Sequence, residues 1–564
     1  MLSIATYGFS GPDNATPTPS GTSRAPFRFG ADADSGDCMG KPCVPGNEYC
    51  AEPFENAPQY HLMDQHGCGE NDPNGPVFDP VHGVFHHFYQ IHLAAPPGHG
   101  PDYGHFVSKD FIHWAQLPVA IWNGLDSSVT PAKVTKYDNE AIFTGSAVVV
   151  DGAGPGGKPG IVNIYPGLCN KDDWPACETG TLLAQAVPAD YAGDELLVNW
   201  TKPDYNPIVE NTQRDPSTPW KNADTGEWRL RTFDSMVYGS ASDADMLAGK
   251  WYTIGKSADF RTCECPSVYP LPAASPGTEE AYAAAQKAGA LPNTVHKTSC
   301  GGDWTQLGTY VPAPAKVLGA FNATPGWDDL FVQKRIDVGG FYASKDNEYP
   351  TLDGGTRRIN WGWAMVPPQS TQTLPREVTF NVAARTLQQY PIDELKALRG
   401  DAAYGPKTGV AVADGAEVDL VPWNHGSVQA SETLVSFTLP SSAATFGVRI
   451  GTLSCTVAYD PSLAAATDAA YVEVPFTCGK LTDTLRLLKS ETAVELRVFA
   501  DVTFVEVFAA KGRVAMTVAE PIAADAAVKL TATGADVTAD VAAYPLKSPW
   551  VTPDAVRQQK RVYG

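Results

Sequence analysis

Three short segments carry carboxyl groups in settings suited to acid–base or nucleophilic work. The first is Glu70-Asn71-Asp72-Pro73-Asn74-Gly75. Asn, Pro and Gly at this density make a turn, so Asp72 taken alone reads as a turn-capping carboxylate. The second is Gln213-Arg214-Asp215-Pro216, where an Arg beside the carboxylate favours its ionised form. Alone, that pair is more often a surface ion pair. The third is Cys263-Glu264-Cys265-Pro266. A Glu between two soft, usually buried residues is expected to be partly desolvated, which raises its pKa and suits a general acid. Alone, the same stretch equally fits a redox or disulfide site.

The elements that must position these groups are short strands. Runs such as VFHHFYQI, AIFTGSAVVV, EWRLRTF and RRINWGWAM lie between turns from about residue 58 to 395. No identity repeats there at a fixed period, which a propeller does not require. A second region, from about 405 to 550, holds TLVSFTLP, AVELRVFA and TFVEVFAA, whose apolar–polar alternation suits a half-exposed antiparallel sheet. Between them, KALRGDAAYGPKTG has linker composition. Helical periodicity is confined to Glu279–Ala290 and a shorter stretch near Ile392–Leu398. Residues 1–55 are polar and rich in Gly, Pro, Ser and Thr, and read as an irregular leader. Asp32, Asp34 and Asp37 within it loosely resemble a calcium loop, but they lack its Gly and distal Glu and read as solvated linker.

At 564 residues the chain is too long for one core, so two domains are expected. Its 51 Gly and 47 Pro, between runs rich in Val, Thr and aromatics, suit a β-rich protein with many turns. A net charge of −22 argues against a nucleic-acid partner and fits a neutral substrate such as a sugar. No apolar run is long enough to span a membrane, and the first residues lack a basic region followed by an adequate apolar one, so no signal peptide is evident. Eleven cysteines permit disulfides, with Cys169 and Cys177 flanking a short loop and Cys455 and Cys478 able to join two strands. Cys38, Cys43 and Cys50 lie in a segment that could hardly order itself without a staple. With sequons at Asn14, Asn199 and Asn322, this usage favours an extracellular, vacuolar or other secretory-pathway location.

Taken together, Asp-Pro-Asn-Gly, Arg-Asp-Pro about 140 residues later and Glu-Cys about 50 further on resemble glycoside hydrolase family 32, which includes invertases, fructan hydrolases and fructosyltransferases. Tyr89-Gln90, residues 103–121, Phe143-Thr144-Gly145-Ser146, Asp337-Val338-Gly339 with Phe341-Tyr342-Ala343, Trp361-Gly362-Trp363 and Leu374-Pro375-Arg376 match further motifs in the expected order. Asp501 to Phe508 resembles a motif of the family's C-terminal domain. The resemblance implies an all-β chain: a five-bladed β-propeller catalytic domain at 56–398 and a β-sandwich at 405–555. It implies a retaining β-fructofuranosidase, with Asp72 as nucleophile, kept charged by neighbouring amides, and Glu264 as acid/base. Asp215 would hold fructose hydroxyls and favour the oxocarbenium-like transition state. Asn71, Gln90, Ser146 and Arg214 would be polar substrate contacts. Trp114 fits plain blade packing as well. The substrate would be sucrose or a fructo-oligosaccharide, and neither a metal nor a cofactor is required.

Four positions depart from the family pattern. Gly69 and Glu70 stand where an aromatic and a Met are usual, Cys263 where Trp is usual, and Ser267 where an acidic or aromatic residue is common. The three acids are intact, so the departures bear on preference rather than on chemistry. Opened walls, and a Glu70 charge that water can solvate, favour water over a second sugar as acceptor. Trp122 is a possible substitute platform. The rival readings are a fructosyltransferase or fructan exohydrolase of the same family and, more remotely, a non-catalytic carbohydrate-binding protein. Neither G-x-S-x-G nor H-E-x-x-H is present.

Overall fold

The computed structural model describes residues 57–65, 67–92, 100–257, 262–323, 334–368 and 370–564. The expected leader at 1–55, its Asp and Cys clusters and the Asn14 sequon lie outside the described residues. The rest is mostly strands with few helices. Five antiparallel sheets of four or five strands follow one another from Gly69 to Pro391. In each, the main path pairs strands close in chain order, the pattern of a propeller blade. Each sheet packs on the next. Phe88 of the first packs with Ala147 of the second, Val148 of the second with Leu230 of the third, and Val295 of the fourth with Phe380 of the fifth. Arg229 of the third sheet donates to the Tyr310 hydroxyl of the fourth at 2.9 Å. The succession returns on itself where Tyr349 of the fifth sheet stacks on Phe85 of the first.

Two six-stranded sheets follow, enclosing one apolar core. Val435, Leu496 and Val507 come from one sheet and Phe446, Val448 and Leu530 from the other. Alternation produced this: in Tyr471–Cys478, Val472, Val474 and Phe476 are buried while Glu473 and Pro475 are exposed.

The expected strands form, with two instructive differences. AIFTGSAVVV breaks into Ala141–Ile142 and Ser146–Val150, which both pair with Gly160–Leu168 and leave Thr144 free to turn inward. The expected linker is only partly one. Asp393–Leu398 is a 3-10 helix, and Tyr404–Val412 is a strand paired with Val537–Pro545. The glycines that suggested a linker, Gly405 and Gly409, sit with positive φ where that pairing shifts register. Glu279–Lys287 is helical as its pattern suggests.

The two regions are joined through buried polar contacts. Asp501 accepts from the backbone N–H groups of Gln59, Tyr60 and His61, and pairs with His61 Nδ1 at 2.7 Å. Glu506 pairs with His61 Nε2 at 2.8 Å, accepts from Leu374 N, and meets Arg376, which also donates to Asp337 at 3.0 Å. The Asp501–Phe508 motif is thus the sandwich's grip on the first region. The C-terminal segment also returns, past the expected boundary at 555. In the helix Pro553–Gln558, Val556 packs with Val84 and Val107, and Tyr563 meets Phe85 edge-on. Trp114 is 3% exposed and packs against Trp361, as plain packing requires.

Candidate active site

Each of the three acids sits at an interruption of regular structure. Asp72 lies in Gly69–Pro73, whose pairing with Val84–His92 shifts register between Glu70 and Pro73. That bulge re-aims its side chain. The turn that follows needs Gly75: its φ is +116°, and a Cβ there would stand 2.5 Å from the Ala147 backbone nitrogen. Asp215 precedes the third sheet and holds φ +60°, a left-handed backbone rare for a residue with a side chain. Glu264 opens the first strand of the fourth sheet, whose pairing shifts register between Glu264 and Ser267 around Cys265 at φ +45°.

These irregularities gather the acids around one sulfur. Cys265 Sγ lies 3.7 Å from Asp72 Oδ2 and 3.9 Å from Asp215 Oδ2, and its backbone N–H donates to Asp215 Oδ2 at 3.2 Å. The neighbouring Glu264 accepts from Arg214 Nη2 at 2.5 Å on Oε1, and its Oε2 lies 2.7 Å from the Tyr342 hydroxyl. Arg214 stacks on Phe233 at 4.6 Å and reaches Asp215 at 3.8 Å. Thr144 Oγ1 donates to Asp72 Oδ2 and itself accepts from Gln90 Nε2 at 2.6 Å. Lys345 is fully buried behind the site, donating to the Pro216 carbonyl at 3.0 Å and Ser146 Oγ at 3.2 Å.

Burial pushes the Asp72 carboxyl up to about 7, opposed by the Thr144 hydroxyl and Lys345 and assisted by the charges of Asp215 and Glu264. Burial likewise raises Asp215, with Arg214 opposing it. The amides expected to keep Asp72 charged are absent among the described residues, and its donors are the Thr144 hydroxyl and the Cys265 thiol. Arg214, expected to serve Asp215, forms its shorter contact with Glu264. Glu264 is not enclosed between buried sulfurs: its side chain is 29% exposed, and Cys263 is bonded to Cys300.

The expected polar contacts divide. Gln90 reaches the cluster through Thr144. Asn71 stands beside it, with its backbone carbonyl accepting from Gln372. Ser146 is fully buried, its hydroxyl given to the Pro216 carbonyl, so it supports the Asp215 loop from behind. Glu70 is 1% exposed, accepts from Asp64 N and Gln372, and is pushed well up by burial. It is therefore not a solvated charge. Trp122 packs partly buried against an aromatic cluster rather than standing clear as a platform. Sequence reasoning assigned no role to Thr144, Tyr342 or Lys345. The first two lie within quoted motifs, whereas nothing in Ala343-Ser344-Lys345-Asp346 signals a buried lysine.

A sheet succession closing around clustered acids, followed by a sandwich, is the architecture of a propeller-type carbohydrate-active protein. The chain belongs to glycosyl hydrolases family 32: residues 61–391 match the family's N-terminal domain and residues 394–539 its C-terminal one. It is 29% identical over 390 residues to a fructan 6-exohydrolase of Triticum aestivum, covering 62% of this chain and 58% of that protein. It is 28% identical over 375 residues to the beta-fructofuranosidase insoluble isoenzyme 1 of Daucus carota, covering 61% and 58%. These matches thus span under two thirds of each relative. Among solved structures, fructan 1-exohydrolase IIa from Cichorium intybus superposes with a TM-score of 0.63 at 20% identity, covering 88% of this chain and 98% of that one. An exo-inulinase from Aspergillus awamori gives 0.61 at 21%, covering 88% and 99%. At such identity these two likenesses speak for fold.

Proposed function

We propose that this chain is a retaining β-fructofuranosidase that cleaves sucrose and related β-fructosides, mainly to water. The observation that carries the reading is the convergence of Asp72 and Asp215 on Cys265, with Glu264 next to Cys265 in the chain. Asp72, once ionised, attacks the anomeric carbon, and its single strong donor leaves a lone pair available. Glu264 protonates the departing oxygen and then takes a proton from the incoming water. Asp215 holds fructose hydroxyls and offsets the positive charge that develops on the ring. Arg214 and Tyr342 orient Glu264, and Gln90 orients Thr144 against Asp72. In this reading the five sheets are the blades of one propeller at 56–398, and the sandwich at 405–555 braces it.

Water is favoured as acceptor because Gly69 and Cys263 leave two walls without large side chains. The buried Glu70 adds nothing to that argument. Fructan is the second reading, favoured by the likeness in sequence to a fructan 6-exohydrolase. Export is supported by three disulfides with both ends among the described residues and by exposed sequon residues Asn199 and Asn322. The test is kinetic: Asp72→Ala and Glu264→Ala, each verified as folded, should lose most turnover of sucrose, with about 10²–10⁴-fold as the scale for the acid alone. Near-normal turnover by either folded variant contradicts the assignment. Mostly trisaccharide at high sucrose contradicts the preference for water.

A further inference from the structure

Glu264 is supported unevenly. On its C-terminal side the pairing with Thr294–Ser299 is broken by the Cys265 bulge, so Glu264 opposite Ser299 is separated from the regular ladder, which resumes at Ser267 opposite Lys297. On its N-terminal side the next two facing residues are Cys263 and Cys300, and these are covalently bonded. Beyond the bulge, the disulfide takes the place of the missing ladder.

The Cys300 end of that bond is fixed. Its N–H donates to the Gly302 carbonyl at 2.8 Å and its carbonyl accepts from Trp304 Nε1 at 3.1 Å. Adjacent Asp303 accepts from the backbone N–H groups of Ala343 and Ser344 at 3.1 and 2.8 Å and pairs with buried Lys297 at 3.2 Å. Tyr342, next to Ala343, has its hydroxyl 2.7 Å from Glu264 Oε2 and 3.1 Å from the Ser299 carbonyl. The disulfide therefore ties the backbone of Glu264 to the same turn that seats the hydroxyl on its carboxylate.

We propose that the Cys263–Cys300 disulfide is a positioning device for Glu264, fixing the acid/base carboxyl against Tyr342 and Arg214. This rests on the assignment of Glu264 given above. The bond's contribution is to proton delivery rather than to fructose binding, because Asp72 lies in the first sheet and Asp215 in the segment before the third.

The experiment compares Cys300→Ser, Cys263→Ser and the double variant with Glu264→Gln in the full chain, under non-reducing conditions. Cys300→Ser is the informative single change, since it breaks the bond while leaving Cys263 at the wall. All three serine variants should lose about tenfold in kcat on sucrose, a part of what loss of the acid itself costs, with KM little changed. On a fructoside with a nitrophenol leaving group, which departs without a proton, the loss in kcat/KM, which reports the first step before Glu264 acts as base, should shrink to about twofold or less. A merely structural bond would lower thermal stability and leave that leaving-group contrast flat. Equal losses on both substrates, or full sucrose turnover by folded Cys300→Ser while Glu264→Gln is inactive, would overturn the proposal. An active Glu264→Gln would instead overturn the assignment on which it rests. Mass mapping of the tryptic peptides verifies that Cys265 has not paired in place of the removed partner.

Discussion

Two buried clusters of carboxylates organise this molecule, and they are built on opposite plans. At the junction of the two regions, Asp501 receives three backbone N–H groups and an imidazole, while Glu506 receives an imidazole, a backbone N–H and a guanidinium. Burial alone would raise Glu506, yet Arg376 and His61 bring it down to about 2. In the candidate active site Asp72 has a hydroxyl and a thiol, and burial prevails, at about 7. The comparison teaches that enclosure by itself does not decide a carboxyl's state; the charge and the donors set against it do, and for Glu506 the Arg376 guanidinium leads. A structural acid is saturated, whereas a nucleophile must keep a lone pair unspent.

The largest effects separate the clusters by what they cost. Arg376→Met should unfold or severely destabilise the chain, by about 3–5 kcal/mol, because Glu506 would be left charged and buried without its guanidinium and Asp337 would lose a donor. Asp72→Asn should do the reverse, abolishing turnover without loss of stability. Urea denaturation and sucrose turnover, measured on both variants, check the contrast. A stable Arg376→Met, or a destabilised Asp72→Asn, breaks it.

The pH dependence follows with opposite signs. Glu506 is depressed, so its contribution is present above the ordinary carboxylate range and is lost as pH falls toward 2. Burial lowers His61, but its bonds to Asp501 and Glu506 outweigh this and raise it, so its contribution is full below about pH 6.5 and fades as pH rises through the folded value. Asp72 is raised, so the folded chain holds its proton where the unfolded chain has released it, and ionisation costs stability between the ordinary carboxylate value and about 7. Asp72→Asn should therefore gain on the parent as pH rises from 4 to 7, by about 1–2 kcal/mol, discounting 1.36 kcal/mol per unit for the site's open edge. Denaturation midpoints across that range read the difference, and a gain that is flat or falls with pH contradicts the assignment of burial as the cause. The same shift places the acid limb of kcat/KM above the ordinary carboxylate range.

The smallest effect sharpens the outer edge of the site. Thr144→Val removes the hydroxyl donor to Asp72 and should lower turnover by about tenfold while moving the acid limb upward. Thr144→Ser should restore both. A Val variant with unchanged turnover and acid limb would remove Thr144 from the account.

Much of this was legible in the residues. Period-two alternation marked the sandwich strands because one face of each sheet meets a core. The acids stood in recognisable motifs because turns and bulges need Asn, Pro and Gly at fixed places. What was not legible depended on contacts between distant segments. Cys263 gives no sign in the sequence that it bonds Cys300. Glu70 looks solvated until Gln372 and the backbone of Asp64 are brought over it. Lys345 sits in a stretch that would suit a surface strand, yet it is fully buried against the carbonyl of Pro216. Gly405 and Gly409 carry the composition of a linker and the function of bulges.

The most direct test of the central claim is the configuration of the first product. If Asp72 attacks the anomeric carbon and Glu264 delivers water to the same face, fructose leaves with the configuration it had in the substrate. Following sucrose cleavage by NMR in the first minutes, before mutarotation, should show β-configured fructose in excess. An initial excess of the α-anomer would require direct attack by water from the opposite face, and would contradict the nucleophilic role of Asp72.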